Sequence, residues 1–81
     1  MTDLPVDREI DCSGMSCPVP MLKAKKAIAD LESGQVLKLI ATDPTVLGDM
    51  AAWTERAQHE LVHQDVDREA NRFVLFVRKG S

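Results

Sequence analysis

The sequence predicts an α/β fold: a two-layer sandwich in which a four-stranded mixed sheet carries two helices on one face. Three observations lead to this prediction. Apolar residues recur with helical spacing in two segments, short runs rich in Val, Leu, Ile and Phe are typical of strands, and the elements alternate in the order β-α-β-α-β-β. Because successive parallel crossovers are normally right-handed, both helices should cover the same sheet face.

The first strand and helix are predicted on either side of a cysteine-containing loop. Residues 8–12 form a short strand with Ile10 and Cys12 on one face. A helix then begins at Pro18 and ends at Gly34, a residue type favoured at helix C-termini. At 100° per residue, the apolar arc of this helix comprises Met21, Ala24, Ala27, Ile28 and Leu31.

The second strand, at 35–43, is apolar on both faces. One face carries Leu37, Leu39 and Ala41, and the other carries Val36, Lys38 and Ile40. Asp43 is then predicted to cap the second helix, with Pro44 at its first position. The apolar arc of that helix comprises Val46, Leu47, Met50, Trp53 and Ala57.

The chain is predicted to close with a hairpin. Residues 60–69 form a polar edge strand anchored by Leu61 and Val66, the "EANR" segment turns, and residues 72–79 form the clearest strand. Its "FVLFV" core offers apolar side chains to both sheet faces. On the uncovered face they form either an exposed patch for a partner or second copy, or a small buried cluster.

Length and composition set the broad class. The 81 residues fit one domain, 1–81, with 1–6 as a loose tail. No apolar leader and no membrane-length apolar run is present, which favours a cytoplasmic protein with no membrane partner. Ten Lys and Arg against 13 Asp and Glu give a net charge of −3, so direct nucleic-acid binding is not expected.

Cys17 is the candidate reactive residue. A proline disfavours the α region for the residue before it, so Cys17 should be extended and serve as the helix N-cap, with Pro18 opening the helix. The helix field, with any approach of Lys23, Lys25 or Lys26, then favours the thiolate.

The prolines also limit what surrounds the sulfur. Pro18 and Pro20 lack an N–H, so only Val19 and Met21 could donate toward Cys17 within the first turn. Such a turn is stiff but sparsely capped. A rigid, protruding cysteine suits a group that enters another protein's active site.

Nothing else in the chain completes a nucleophilic enzyme. His59 and His63 have no recognisable spacing to a catalytic cysteine or serine. What remains is chemistry that a thiolate performs unaided. Attack on a sulfur–sulfur bond is such a reaction, because it needs access and a suitable pKa but no general base.

The run "DCSGMSCPVPMLKAKKAI" resembles the signature of the TusA-like (SirA-like) sulfur carrier family. The later "ATDPTVLGDMAAW" is similar to the start of that family's second helix, so the likeness covers nearly the whole chain. The residues that match the signature are Asp11, Gly14, Met15, Cys17, Pro18 and Pro20.

The resemblance implies both a fold and an activity. The fold is a sandwich like the C-terminal domain of translation initiation factor three, and Cys17 is implied to carry sulfane sulfur as a persulfide. The donor would be a cysteine desulfurase or a rhodanese-like protein, and the acceptor a sulfur-relay protein in transfer-RNA thiolation or sulfur oxidation. A persulfide carrier of the sulfurtransferase type is implied, without metal or organic cofactor, rather than a stand-alone enzyme of multiple turnover.

Cys12 leaves alternatives open. Its place on the Ile10 face of the first strand favours a buried structural thiol, while its spacing from Cys17 also fits a thiol–disulfide switch. A second thiol within reach would attack the persulfide, close a disulfide and release the sulfur. Zinc binding through both cysteines with His59 and His63 lacks recognisable ligand spacing.

Partner docking is expected on the first helix. Lys23 and Lys26 form either a solvated helix face or a docking site for an acidic surface. Leu22 and Met15 could add an apolar collar, although Met15 could equally only pin the loop. Fold analogy alone suggests a non-catalytic interaction or RNA-binding module as a third hypothesis.

Overall fold

A computed structural model of the chain describes residues 6–16 and 18–80, and the predicted element order and fold class are confirmed. Of the expected tail, only Val6 lies within the described residues, and it is exposed. The elements are β1 (Arg8–Cys12), α1 (Val19–Ala29), β2 (Val36–Ala41), α2 (Thr45–Arg56), β3 (Glu60–Asp67) and β4 (Arg72–Arg78).

The four strands form one mixed sheet in the order β1-β2-β4-β3. β1 pairs with β2 in parallel, with Ile10 opposite Leu39, and both other pairings are antiparallel. The two strands that are buried on both faces, β2 and β4, therefore occupy the centre. The carboxyl ends of β1 and β2 meet at one edge of the sheet, where the chain turns into α1 and α2.

The main core lies between the sheet and the two helices. Both predicted apolar arcs contribute to it, which confirms that α1 and α2 cover the same sheet face. Sequence reasoning missed one member of α2: Thr54 is buried, and its hydroxyl donates to the Ala51 carbonyl at 3.1 Å. The completely buried members are Cys12, Ala24, Leu37, Leu39, Ala41, Met50, Leu75 and Val77.

The other sheet face carries a second, smaller apolar cluster. It consists of Val36, Ile40, Val74 and Phe76, each at most 8% exposed. Lys38 places its Nζ 5.9 Å from the centre of the Phe76 ring, and the His63 ring lies 5.8 Å from the same ring. Of the two alternatives for this face, the structure therefore shows the buried cluster, shielded by long polar side chains.

Helix α1 is shorter than predicted at both ends. It begins at Val19, with Pro18 as N-cap, and it ends at Ala29, with Asp30 as C-cap. The predicted end was Gly34, five residues later in the chain. The N–H groups of Asp30 and Leu31 donate to carbonyls three residues back, at 3.1 and 3.0 Å, which tightens and closes the last turn. Leu31 is still buried, because the chain after the helix folds back over the core.

Gly34 serves the following turn instead of the helix end. Its φ of +90° lies in the left-handed region that glycine adopts without steric cost. Its N–H donates to the carbonyl of Lys79 at 2.8 Å, and the N–H of Lys79 donates to Gln35 at 2.9 Å. The turn is thereby tied to the residue after β4.

Helix α2 begins one residue later than predicted. Pro44 is the N-cap and Thr45 the first helical residue. Asp43 still accepts the hydrogen bonds that a cap would accept, from the N–H of Thr45 at 3.0 Å and from its hydroxyl at 2.8 Å. The predicted role of Asp43 is thus retained with the helix boundary shifted by one position.

The edge strand β3 follows its prediction at one anchor, Leu61, and differs from it at the other, Val66. Leu61 packs against the main core and its neighbour Val62 packs against the opposite cluster, as alternation along a strand requires. A register shift between Leu61 and His63 then places His63 opposite Phe76. Val66, predicted as the second anchor, is 41% exposed, although its partner on β4, Phe73, is buried in the main core. β3 ends at Asp67, so the hairpin turn begins at Arg68, earlier than predicted. β4 ends at Arg78, one residue before its predicted end.

Within the described part of the chain, neither helix is long and apolar enough to cross a membrane.

Candidate functional site

The candidate site is the loop between β1 and α1, together with the first turn of α1. Cys17, the predicted sulfur-carrying residue, lies outside the described residues, and the N-cap position predicted for it is taken by Pro18. The site is therefore defined by the residues on either side of it. Ser16 and Pro18 are both exposed.

Asp11 holds the start of this loop. Its Oδ1 accepts hydrogen bonds from the Ser13 N–H at 2.9 Å and the Ser13 hydroxyl at 2.6 Å. These bonds, from the side chain first and the backbone second, hold the pKa of the Asp11 carboxyl below its usual value. An ionised aspartate of this kind fixes a tight turn directly after the strand.

The middle of the loop is tied to the neighbouring β2–α2 loop. Gly14 adopts a φ of +79°, and its N–H donates to the Thr42 hydroxyl at 2.8 Å. Met15 donates to the Cys12 carbonyl at 3.1 Å, and its side chain packs against the main core. The structure thus gives Asp11, Gly14 and Met15 positioning roles, and Met15 pins the loop.

Thr42 is a positioning residue that sequence reasoning missed. It lies 28 residues from Gly14 in the chain, and nothing in the local pattern marks its hydroxyl as an acceptor. The only available signal is that Thr42 follows β2 while Gly14 follows β1. Because these strands are parallel neighbours, their carboxyl ends meet.

The first turn of α1 is held by main-chain bonds and packing. The Val19 N–H, expected to point toward the sulfur, instead donates to the Ser16 carbonyl at 3.0 Å, and Leu22 donates to the Pro18 carbonyl at 3.0 Å. No side chain of the described residues caps the helix. Pro20 is fully buried, so the second proline is an anchor as well as a stiff element of the turn.

An apolar patch follows the cysteine directly. Val19 is 40% and Leu22 is 59% exposed, and their spacing of three places them on the same side of the helix. Of the two alternatives for Met15, an apolar collar with Leu22 or a pin for the loop, its packing against the main core agrees with the second. The exposed apolar neighbour of Leu22 on the helix is Val19. The i, i+3 spacing of Val19 and Leu22 is the signal that could have identified the pair.

Lys23 and Lys26 lie exposed on the same helix, as predicted. They face a groove between α1 and β1 that is bordered by residues 8–11 of the strand. Leu22 does not line that groove. The predicted docking residues therefore belong to two adjacent surfaces, the apolar patch of Val19 and Leu22 and the groove beside β1.

Cys12 is completely buried in the main core, as predicted. Burial raises the pKa of its thiol, and the nearby positive charge of Lys23 only partly offsets this effect. A buried thiol with a raised pKa is a poor nucleophile. Among the described residues, Cys12, His59 and His63 do not come together in a group that could hold a metal ion.

Comparison with known proteins decides the family. The model of the family described as "Sulfurtransferase TusA" matches residues 8–79, which include every element of the fold and the loop that contains Cys17. The chain belongs to the TusA family. The family resemblance seen in the sequence is thereby confirmed.

Two relatives of this TusA-family chain align along nearly their whole length. It is 40% identical over 74 residues to a protein named sulfur carrier protein TusA from Allochromatium vinosum, covering 91% of this chain and 95% of the relative. A protein of the same name from Pseudomonas fluorescens is 37% identical over 79 residues, covering 98% and 93%.

The fold of the TusA-family chain also matches a solved structure. The crystal structure of a SirA-like protein from Desulfitobacterium hafniense superposes with a TM-score of 0.78 at 23% identity. The match covers 91% of this chain and 99% of the other. It supports the architecture described above, including the two helices on one side of a four-stranded sheet.

Proposed function

We propose that this chain is a cytoplasmic sulfur carrier that accepts sulfane sulfur as a persulfide on Cys17 and passes it to an acceptor protein. The observation that carries the proposal is the match of residues 8–79 to the TusA family, whose members compared above are named sulfur carrier proteins. The chain has two cysteines, and Cys12 is sealed in the core, which leaves Cys17 as the candidate carrier.

The proposed chemistry is two balanced thiol exchanges. In loading, the Cys17 thiolate attacks the outer sulfur of a persulfide on the donor, the donor's sulfur–sulfur bond breaks, and the donor leaves as a thiolate. In delivery, a thiolate of the acceptor attacks the outer sulfur on Cys17, and Cys17 leaves as a thiolate. Neither step needs an external oxidant, a metal or an organic cofactor.

The loop contributes positioning to this chemistry. Asp11, Gly14 and Thr42 fix the chain before Cys17 through the bonds at 2.6–2.9 Å described above. Pro20 anchors the chain after it. Because these segments on either side are already fixed, they lose little further conformational freedom when a partner docks, which favours fast exchange.

The state of Cys12 favours a carrier over a thiol–disulfide switch. A switch needs Cys12 to attack Cys17, and a thiol with no exposed surface and a raised pKa does so only after the end of β1 opens. Burial of Cys12 therefore protects a persulfide on Cys17 from premature loss as hydrosulfide.

The patch of Val19 and Leu22 is the proposed contact for the sulfur donor, either a cysteine desulfurase or a rhodanese-like protein, and for the acceptor. It lies two and five positions after Cys17 on the rigid first turn. A relay toward transfer-RNA thiolation and one toward sulfur oxidation use the same carrier step. The two differ only in which acceptor docks.

The deciding experiment is intact-mass spectrometry of the reduced protein after incubation with a sulfane-sulfur donor such as glutathione persulfide. We expect a gain of one sulfur atom that is lost in Cys17→Ser and retained in Cys12→Ala. Cys12→Ala is preferred to Cys12→Ser because a hydroxyl in this apolar position would be buried without an assured partner.

Two outcomes would contradict the carrier. A loss of two hydrogens that requires both cysteines would identify a switch, and sulfur gain that persists in Cys17→Ser would place the chemistry elsewhere. Urea unfolding of each variant confirms that the reading comes from a folded protein.

A further inference from the structure

The outer edge of β1 is paired with no strand among residues 6–16 and 18–80. In the sheet order β1-β2-β4-β3, β1 is an edge strand next to β2. Along its other side runs an open groove of about 460 Å³, lined by residues 8–11 of β1 and by Lys23, Lys26 and Ala27 of α1. We call it the β1 groove.

The direction of the main-chain groups of β1 follows from those of β2. The carbonyl of Gln35 accepts the N–H of Lys79 at 2.9 Å, so Gln35 faces the β4 side. Successive residues of a strand direct their N–H and C=O groups to alternate sides. Val36 and Lys38 therefore face β1, and the Val36 N–H does donate to that side, to Asp7 Oδ2 at 2.8 Å.

The main-chain groups of Glu9 and Asp11 consequently point into the groove. Arg8 lies opposite Leu37 in the parallel register, so the groups of Lys38 bond to those of Arg8 and its alternate neighbour Ile10. Glu9 and Asp11 then face outward, about 7 Å apart along the strand. In the part of the chain that the structure describes, no residue bonds to these outward groups.

Charge distinguishes the two walls of the groove. Lys23 and Lys26 form no ion pair with any described residue. The acidic side chains are already engaged, since Glu9 lies 3.4 Å from Lys38 and Asp11 accepts two bonds from the turn that follows it. Three basic side chains, Arg8, Lys23 and Lys26, line the groove against two acidic ones, Glu9 and Asp11, so the net charge of its described lining is positive. The two cations without an ion pair to a described residue, Lys23 and Lys26, place this charge on the helix side.

A second copy of the chain fits this edge poorly. Antiparallel pairing of two β1 strands centred on Ile10 would place Glu9 opposite Asp11 of the copy, twice. Like charges directly opposite one another destabilise a strand pair. The same pairing would bring Lys23 and Lys26 toward their own copies.

We propose that the β1 groove binds an extended acidic segment of a partner protein, which adds to the sheet as a fifth strand. Its main chain pairs with Glu9 and Asp11, its acidic side chains point toward Lys23 and Lys26, and its alternate, uncharged side chains lie beside Glu9 and Asp11. Strand addition of this kind takes affinity from main-chain bonds and specificity from alternate side chains. The binding is separate from the sulfur chemistry proposed above.

The test uses the full chain with Cys17→Ser, which removes sulfur exchange, and the peptide acetyl-TETETET-amide as probe. Titration is followed by NMR of the backbone amides. We expect the largest shifts at Glu9 and Asp11, and affinity about fivefold weaker in Lys23→Glu and in Lys26→Glu. Lys25→Glu is the matched control, because it makes the same charge change on α1 outside the groove and should bind the peptide unchanged.

Two further peptides test strand pairing and charge. N-methylation at all Glu or at all Thr positions blocks the donors along one peptide edge, and one of these two peptides should lose binding. Acetyl-TKTKTKT-amide should bind weakly. The proposal would be overturned if the lysine peptide bound equally well, if Lys25→Glu lost as much affinity as the other two variants, or if both N-methylated peptides bound. It would also be overturned by amide shifts centred away from Glu9 and Asp11, by self-association through β1, or by no binding at millimolar peptide.

Discussion

The main-chain N–H of Gly80 donates a hydrogen bond to Nδ1 of His59 over 3.0 Å. The His59 ring also lies edge-on to Trp53 of α2, with ring centroids 5.3 Å apart. Burial, with a smaller contribution from the charge of Lys79, lowers the pKa of His59. The segment after β4 is thus held to the end of α2 through a neutral imidazole.

Acidification should loosen this contact. The pKa of His59 in the folded protein lies below its usual value of 6.5, so the unfolded chain binds more protons on acidification. The contribution of His59 to the free energy of unfolding is complete above pH 6.5, and it is lost as the pH falls through the lowered pKa of the folded state. We expect the free energy of unfolding, measured in urea, to decrease as the pH is lowered from about 7 to 5.

Replacing His59 by Gln should flatten that pH dependence, while His63→Gln, which changes the other histidine, should leave it in place. The same slope in His59→Gln as in the wild type would show that another group is responsible.

The two glycines Gly80 and Gly48 should respond in opposite directions to alanine. A Cβ on Gly80 would overlap the main-chain carbonyl of Gln58, whereas a Cβ on Gly48 meets nothing within 4 Å. Gly80→Ala should therefore lower the free energy of unfolding by about 1 kcal/mol. Gly48→Ala, inside α2, should raise it by about 0.8–1 kcal/mol.

Urea unfolding of both variants under one set of conditions checks this pair. If Gly80→Ala proves as stable as the wild type, Gly80 does not pack closely against the Gln58 carbonyl in solution.

Removing the Thr42 hydroxyl should disturb the loop between β1 and α1, the proposed sulfur-carrying loop. Thr42→Val keeps the shape of the side chain but leaves the Gly14 N–H without its acceptor, which should cost about 1 kcal/mol. With the loop less fixed, loading of Cys17 from glutathione persulfide should slow by about three- to tenfold.

Thr42→Ser retains the acceptor and should restore the loading rate even if it does not restore stability completely. Equal slowing in both variants would mean that the hydroxyl is not the group that acts.

A charge in the apolar patch should impair partner contact while leaving the thiol intact. In Leu22→Glu, sulfur transfer from a protein donor should slow by about tenfold, because partner contacts concentrate in a few buried apolar side chains. Loading from glutathione persulfide should not change.

Val66→Glu is the control for this prediction, since Val66 is a similarly exposed apolar residue at the far end of β3. If both variants slow protein-to-protein transfer equally, the effect is one of net charge and the docking surface lies elsewhere.

The spacing of apolar residues predicted which side chains of a helix or strand are buried. The arc from Met21 to Leu31 and the two faces of β2 follow directly from burial on a helix stripe and on a strand. The ends of elements depended on other contacts. The i−3 bonds at Asp30 end α1 before Gly34, and Val66 is exposed on the edge strand although its sequence pattern predicts an anchor.

The site was predicted to the extent that its residues are adjacent in the chain. Asp11, Gly14 and Met15 precede Cys17 and could be recognised together, and the structure gives each a bond or packing contact in one loop. Thr42 could not be recognised, because its contact joins two loops that only the parallel pairing of β1 and β2 brings together.

The covering of Phe76 by Lys38 and His63 has a kinetic consequence. The open sheet face then offers little apolar surface for a partner to contact. Among the described residues of α1, the exposed large apolar side chains are Val19 and Leu22, beside the loop that contains Cys17. An interface with so small an apolar centre is released quickly, because affinity differences are expressed mainly in the dissociation rate. For the carrier proposed above, short residence on each partner would let one molecule load at a donor and unload at an acceptor in rapid succession.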